Sequence, residues 1–156
     1  MISQTVLVVA GPFGDALSAE EVARAIGRGL VAGGLPEPDL CPIDGDSSGE
    51  RLDDVRARLD ALHFDARMRR ARAVVLAEWR LEESALRGSA AFEIATRARQ
   101  GGVPAYAVTG ENALAPFDAR ILDLQVILEA RTKRTLVTAG TKLARLVGKS
   151  ANLRAL

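Results

Sequence analysis

The chain has 156 residues, of which 48% are hydrophobic and 26% charged, and its formal charge at pH 7 is +1. The length suits one domain, and so small a net charge gives no overall field that would draw the protein to nucleic acid or to an anionic membrane. The single cysteine, Cys41, excludes an intramolecular disulfide, and no stretch reaches the roughly 18 apolar residues of a membrane helix. The N-terminal stretch "MISQTVLVVA" lacks the features of a signal peptide, so we expect a cytoplasmic protein without nucleic-acid or membrane partners.

The first third of the chain predicts a strand, a helix and a second strand. The run "TVLVVA" is continuously apolar, as expected of a strand that is covered on both faces. Ser18 begins the capping box "SAEE", which predicts a helix that ends at Gly33 and Gly34. A weak strand follows over 39–43, after two prolines.

The middle of the chain predicts two helical segments and a third strand. An apolar stripe at helical spacing marks one face of a helix over 51–62; its members are Leu52, Val55, Leu59 and Leu62. A short helical turn in "FDARMRR" leads to the strand "AVVLAE". A long helix is then predicted over "ESALRGSAAFEIATRARQGG", ending at its glycines.

The last third predicts the strands "VPAYAVTG" and "DLQVILEA" and a final helix, "RTKRTLVTAGTKLARLVG". Strands separated by helices throughout indicate a three-layer, doubly wound α/β fold. We expect a mostly parallel five-stranded sheet with helices on both faces, Rossmann-like or flavodoxin-like. The predicted domain spans 1–148, and 149–156 is predicted to be a flexible tail.

Searches for nucleotide and metal motifs fail. Gly11 and Gly14 are the only glycines of the first strand-to-helix loop, so the loop lacks the GxGxxG pattern. The segment "GTKLARLVGKS" ends like a Walker A motif, but it lies in a predicted helix and its two glycines are too far apart. The single histidine, His63, cannot build a histidine metal cluster, and no metal site is predicted. The arginines of "DARMRRAR" are interpreted as a solvated helix face.

Charged residues cluster in "AEWRLEESALRG" (77–88), at the end of the third strand. Glu78, Arg80 and Glu82 stand around Trp79, the only tryptophan of the chain. In parallel sheets, ligands bind beyond the carboxyl ends of the strands, which is where this segment lies. Trp79 is expected to serve packing rather than ligand stacking.

Two stretches resemble the bacterial glycerate kinases. "GPFGDALSAEEVARAIGRGL" resembles their N-terminal signature, which runs close to D-S-F-K-G-S-L-S-A-x-E-V-A-x-A-I. "FDARMRRARAVVLAEWRLEESALRG" resembles their C-terminal signature, F-D-x-x-L-x-x-A-D-L-V-I-T-G-E-G-R-L-D-x-Q-[ST]-x-x-G-K. Between them, "CPIDGDSSGE" is similar to the family's loop around A-D-G-G-E-G-T.

This resemblance implies a two-domain enzyme that transfers phosphate from ATP, with Mg²⁺, to a hydroxyl group of glycerate. It also implies a Rossmann-like domain built from both ends of the chain, with a second domain inserted between them. Here the family pattern stops near Gly49 and resumes near Phe64, so only the predicted helix over 51–62 bridges the gap. The inserted domain is therefore expected to be absent.

Carried over by position, the N-terminal motif keeps Phe13, while its lysine falls on Gly14 and its next glycine on Asp15. The middle loop keeps Asp44. The C-terminal motif keeps a further set of residues, namely Glu78, Arg80, Leu81 and Gly88. Its other positions have changed: the second glycine is Trp79, the aspartate is Glu82 and the lysine is Ser89.

The resemblance thus leaves five candidate ligand-binding residues and no assigned catalytic residue. They are Asp15, Asp44, Glu78, Arg80 and Glu82. Arg80 could take one cationic role, and Glu78 with Asp44 could hold a metal ion if the family activity, with ATP and Mg²⁺, survives. Because both motif lysines are missing and no second domain can close over the site, kinase chemistry by the family's route is not expected.

Three functions remain open. The first is a catalytically degenerate domain that binds a small hydroxy acid, a nucleotide or a partner protein. The second is a working small-molecule kinase whose missing domain is supplied by a second protein. The third is a structural role in a homodimer, in which the apolar stripe of the helix over 51–62 forms the seam; packing of that stripe on its own sheet is the favoured interpretation.

Overall fold

The structure, a computed structural model, describes residues 5–43, 51–83 and 89–154, with the backbone alone described for 150–154. The strands are β1 (Val6–Ala10), β2 (Asp39–Pro42), β3 (Ala73–Leu81), β4 (Ala105–Asn112) and β5 (Leu124–Glu129). The helices are α1 (Ala19–Ala32), α2 (Leu52–Ala61), α3 (Phe64–Arg70), α4 (Ala90–Gln100), α5 (Pro116–Leu122) and α6 (Lys133–Arg154).

The five strands form one parallel sheet in the order β2-β1-β3-β4-β5. This is the flavodoxin-like order, and its topological switch point lies between β1 and β3, where ligands of such sheets bind. The predicted α/β fold class is therefore confirmed, and the sheet is parallel throughout.

Two apolar layers cover the sheet. Along β1, side chains alternate between them: Val6, Val8 and Ala10 pack with α1 and α6, whereas Leu7 and Val9 pack with α2, α3 and α4. Because both layers are apolar, all five residues of β1 are buried, which explains its continuous rather than alternating sequence.

Helices α1 and α6 cross in close contact because glycines lie at the crossing. A methyl group on Gly29 would collide with the carbonyl oxygen of Val137, and one on Gly140 would collide with that of Ile26. The hydroxyl of Thr141 donates a hydrogen bond of 3.2 Å to the carbonyl oxygen of Gly29. The two backbones approach to a distance that only glycine permits.

The apolar stripe of α2 packs on the protein's own core. Val55 and Leu59 are buried in the layer that contains α3 and α4, and Leu62 packs against the same layer. This confirms the favoured interpretation of the stripe.

Four elements differ from the sequence prediction. β3 continues to Leu81 instead of ending at Glu78, and α4 begins at Ala90, capped by the Ser89 side chain, rather than near Glu83. The short helix α5 lies between the fourth and fifth strands, where no helix was predicted. The predicted end of the last helix at Gly148 is also wrong, since α6 runs through the predicted tail to Arg154.

Candidate functional site

The candidate site is built on a two-stranded projection of the sheet. β3 pairs with β1 only as far as Ala77, but it continues to pair with β4 up to Leu81 opposite Asn112. The loop after β1 starts where its pairing with β3 ends, and Gly11 N–H donates a hydrogen bond of 2.9 Å to the Ala77 carbonyl oxygen. The ends of β3 and β4 therefore stand above this loop at the carboxyl edge of the sheet.

Trp79 lies across the switch point between β1 and β3. Its six-membered ring rests on Gly110 of β4, where a Cβ atom would collide with it. Its ring also meets the buried Phe13 of the β1 loop edge-on, with centroids 5.6 Å apart and an interplanar angle of 61°. The side chain nevertheless stays 41% exposed, so the indole covers part of the crevice and presents its remaining surface to solvent.

The β1 loop is a tight turn that presents Asp15 to solvent. Phe13 and Leu17 exchange backbone hydrogen bonds of 2.9 and 3.3 Å across it. Gly14 has a φ of 58°, with open space around it, so the turn requires glycine for its conformation rather than for a close approach. Asp15 is exposed at the tip of this turn, apart from the acids at the end of β3.

Glu78 points to the opposite face of the sheet from Trp79, toward α4. Its carboxyl group accepts a hydrogen bond from the backbone N–H of Ala91 in the first turn of that helix. Burial disfavours the charged form and raises the pKa of Glu78 to about 7, although the hydrogen bond from Ala91 acts in the opposite direction. The group can therefore exchange a proton near neutral pH.

Arg80 is held by two carboxylates. Its Nε lies 3.1 Å from Glu82 Oε2 and 3.8 Å from Glu111 Oε2, and all three side chains are about half exposed. The register of the projection places Arg80 directly opposite Glu111. The one cation that the family motif retains here is thus already neutralised within the protein.

The structure brings together only part of the predicted cluster. Arg80 and Glu82 form an ion pair, whereas Glu78 turns to α4 and Asp15 lies on the β1 loop. Asp44 lies outside the described residues. Within the three described ranges, no group of three or more His, Cys, Asp or Glu side chains is arranged to hold a metal ion.

Four residues at the site were not singled out from the sequence. Thr109, Gly110 and Glu111 lie on β4, and Arg131 lies in the loop that follows β5. Gly110 seats the indole, and Arg131 Nε donates a hydrogen bond of 2.8 Å to its carbonyl oxygen. The buried Thr109 donates a hydrogen bond of 3.2 Å from Oγ1 to the Trp79 carbonyl oxygen. The glycine in "AVTGEN" was the available signal, because glycine inside a strand marks a close approach.

The basic run after α2 is not simply a solvated face. Arg67 binds Asp39 through two hydrogen bonds of 2.7 and 2.9 Å, and it donates two more to the carbonyl oxygens of Leu40 and Leu62. These bonds fasten α3 to β2. The interpretation of this run as solvent-facing was therefore wrong for Arg67.

Cys41 is buried, and burial raises the pKa of its thiol. A cavity of about 170 Å³ lies at the amino edge of the sheet, away from the projection; it is lined by Thr5, Asp39, Arg67, Arg70 and Ala71. No helix in the part of the chain that the structure describes is long and apolar enough to span a membrane.

Comparison with known proteins identifies the family. Among solved structures, the chain is similar to a diflavin flavoprotein A3 from Nostoc sp., with 13% identity, coverage of 99% of both chains and a TM-score of 0.48. No curated protein matches the sequence. The glycerate kinase family matches residues 47–151, about two thirds of the chain, a span that includes the whole projection of β3 and β4 but not the β1 loop. The chain therefore belongs to the glycerate kinase family.

Proposed function

We propose that this chain is a glycerate kinase family domain that binds a small ligand at the carboxyl edge of its sheet without transferring phosphate by the family's route. The observation that carries this proposal is Trp79. Its indole covers the switch-point crevice, where the sequence pattern of the family has a glycine, and it closes off backbone that a phosphate group would need to approach.

The charges of the described residues also fit magnesium-bound ATP poorly. Phosphoryl transfer requires cations on the transferring group and oxygen ligands that hold the metal. Arg80 is paired with Glu82 and Glu111, and Lys133 at the start of α6 is paired with Glu21 at 2.8 Å. Glu78 faces α4, away from these groups. The described residues thus supply neither an unpaired motif cation nor a cluster of carboxylates.

A direct assay tests the catalytic part of the proposal. Purified protein is incubated with glycerate, ATP and Mg²⁺, and ADP formation is compared with that of a Glu78→Ala variant. We expect equal background rates, since losing even one stabilising group of this kind costs about 100-fold or more. Glycerate-dependent turnover clearly above the variant would overturn it.

A thermal-shift screen with nucleotides, glycerate and related hydroxy acids tests the binding part. A ligand that binds only the folded state stabilises it by about 2.7 kcal/mol at 100 times its Kd, which is easily detected. At least one probe is expected to raise the Tm. A screen in which no probe does so would favour a protein-binding role instead.

One observation favours a second candidate, a small-molecule kinase completed by another protein. A carboxyl group with a pKa of about 7 suits general acid–base chemistry at neutral pH, and Glu78 is the glutamate that the motif retains. This candidate requires nucleotide affinity. Calorimetry that finds no binding of ATP or ADP in the presence of Mg²⁺ would exclude it.

A further inference from the structure

Gly110 is contacted by both an aromatic ring and a guanidinium group. The Trp79 indole rests on its Cα, and Arg131 donates from Nε to its carbonyl oxygen. Both side chains therefore contact one residue of β4, at the edge of the sheet where the β1 loop ends. Gly110 itself is buried, whereas Trp79 and Arg131 are exposed.

Contacts with the protein hold the Trp79 indole and Arg131 in place, but both side chains keep surface that a ligand can reach. The indole packs against the Phe13 ring at an interplanar angle of 61°, and its six-membered ring packs against the bare backbone of Gly110. The backbone N–H of Arg131 donates to Thr135 Oγ1 at 3.1 Å, which fixes the residue at the start of α6. Among the described residues, no carboxylate lies within ion-pairing distance of Arg131, in contrast to Arg80 and Lys133.

We propose that Trp79 and Arg131 form a subsite for a planar aromatic ligand that carries an anionic group, with the ring stacked on the indole and the anion paired with the guanidinium. The proposal deepens the proposed function, on which it rests, by naming the ligand class. A flat aromatic surface favours a planar π-system, and an arginine without a carboxylate partner favours a carboxylate or a phosphate.

This pairing discriminates between classes of ligand. Glycerate carries a carboxylate but no ring, so it would engage Arg131 alone and leave the indole in water. A neutral ring would stack on Trp79 but leave Arg131 without an anion. A ligand with both groups gains both contacts, and a mononucleotide and an aromatic carboxylic acid share that chemistry.

The fluorescence of Trp79 reports on this subsite directly, because the chain has one tryptophan. The intact protein is titrated with five probes while the indole is excited at the red edge of its absorption band. The probes are AMP and nicotinate, which have a ring and an anion; adenosine, which has the ring alone; and ribose 5-phosphate and glycerate, which have the anion alone. The stronger of AMP and nicotinate identifies the source of the ligand.

We expect AMP or nicotinate to shift the emission and to bind roughly tenfold more tightly, or better, than its single-group counterparts, since stacking on an aromatic side chain contributes about that factor. Arg131→Met should weaken this binding by a similar factor. Arg134→Met, which removes the same charge from the first turn of α6, three residues further along the chain, should leave this binding unchanged. Calorimetry on Trp79→Leu and Trp79→Phe should show loss and partial recovery of affinity, respectively.

The outcomes separate this inference from the proposed function. If neither AMP nor nicotinate binds more tightly than the probes with a single group, or if the affinity is unchanged in Trp79→Leu, the subsite is overturned while small-ligand binding stands. Binding of glycerate without binding of AMP or nicotinate would likewise overturn the subsite and leave small-ligand binding in place. Absence of binding by all five probes in the fluorescence and calorimetry experiments would overturn the subsite, and a blank thermal-shift screen would then count against the proposed function as well.

Discussion

Glu78 shows at the scale of one residue how burial can outweigh a favourable electrostatic partner. The first turn of a helix attracts negative charge, and the N–H of Ala91 donates to the Glu78 carboxyl group. Both effects lower a carboxyl pKa, yet the pKa of Glu78 rises from 4.5 to about 7 because burial at the sheet–helix junction costs the ionised form more. The folded protein therefore favours the protonated acid.

Glu78→Gln tests this by the pH dependence of stability. Because the pKa of Glu78 is higher in the folded state than in the unfolded state, its contribution to stability is complete below pH 4.5. That contribution is lost as the pH rises from 4.5 through about 7. The glutamine is neutral at every pH, so its stability relative to wild type should increase by on the order of 2 kcal/mol from pH 5 to pH 8. Urea unfolding at both values measures this difference. The exposed Glu83→Gln should show no such increase, and a pH-independent difference for Glu78→Gln would contradict the prediction.

The sequence placed the charged residues of the site on the right strand end but not their partners. The location of Glu78, Arg80 and Glu82 could be predicted because all three lie in one short segment at the end of a predicted strand. The contact between Trp79 and Gly110, and that between Arg80 and Glu111, depend on how β3 and β4 align, and a single sequence does not specify that register. The prediction that Trp79 packs was correct as far as its contacts with Phe13 and Gly110 go; a stacking role was not expected.

At the scale of elements, the glycines at the crossing of α1 and α6 have two opposing effects on stability: glycine lowers helix propensity, but its lack of a side chain permits the close contact. Alanine favours a helix over glycine by up to ~1 kcal/mol, but overpacking a close contact costs ~1–3 kcal/mol or more. At Gly29 a methyl group would meet backbone atoms of Val137 and Gly140, which cannot rotate away as a side chain can. The steric cost should therefore prevail there.

We expect Gly29→Ala to lower the free energy of unfolding by about 1–3 kcal/mol. Gly148→Ala, on α6 with nothing within 4 Å of the added methyl group, should instead raise it by up to ~1 kcal/mol. Denaturant unfolding of the two variants measures the direction and size of each change in the free energy of unfolding. A stabilised Gly29→Ala protein would show that the helices are farther apart than described.

An ion-pair network fastens α2 and α3 to α4. The Arg97 guanidinium lies 3.0 Å from Glu93, 2.9 Å from Asp60 and 3.2 Å from Asp65, and Arg56 reaches Glu93 at 3.4 Å. The side chains of Arg97 and Glu93 are only 13% and 10% exposed, so this pair is shielded from water. Removing the arginine would leave Glu93 buried with a single, more distant cation.

Arg97→Met is accordingly expected to destabilise the protein by about 3–5 kcal/mol, as breaking a buried ion pair typically does. Arg24→Met breaks the exposed pair with Glu20 and should cost no more than ~0.5 kcal/mol. Thermal and urea unfolding of both variants supply the comparison. Equal effects of the two substitutions would mean that the network around Arg97 is open to solvent.

Element types were predictable where periodicity was strong, and boundaries were not. Trp79 and Leu81 are strand formers, but the acids around them favoured an early end to β3, and pairing with β4 overrides that preference. The segment of α5 is only seven residues long, too short for a periodic pattern, and Pro116 at its start was the available signal. The glycine and serine near 148–150 favoured a helix end, yet α6 continues past them.

At the scale of the whole molecule, the described residues form one sheet with a continuous apolar layer on each face, and β1, β3 and β4 pair on both sides. Such a domain is expected to unfold as a unit without a second domain to support it. The alternation of strands and helices predicted a doubly wound sheet but not the order of its strands. That order depends on contacts between segments that are distant in the sequence.

Urea unfolding followed by two probes tests this cooperativity. Tryptophan fluorescence reports on Trp79 at the carboxyl edge, and far-UV circular dichroism reports mainly on the helices. We expect the two transitions to coincide in midpoint and slope, as in a two-state protein. If the fluorescence changes at a lower urea concentration, the projection of β3 and β4 unfolds separately and the single-domain description fails.

The packing of the Trp79 indole on Gly110 also restricts which residues can occur together at positions 79 and 110. Any side chain at position 110 would occupy the space of the Trp79 ring, so tryptophan at 79 is tolerated in its present position only on a background that already has glycine at 110. While tryptophan occupies position 79 in this way, replacement of Gly110 by any larger residue is therefore disfavoured. Relatives that carry a bulky residue at 110 should therefore lack a tryptophan at 79 that lies across β4 as this one does.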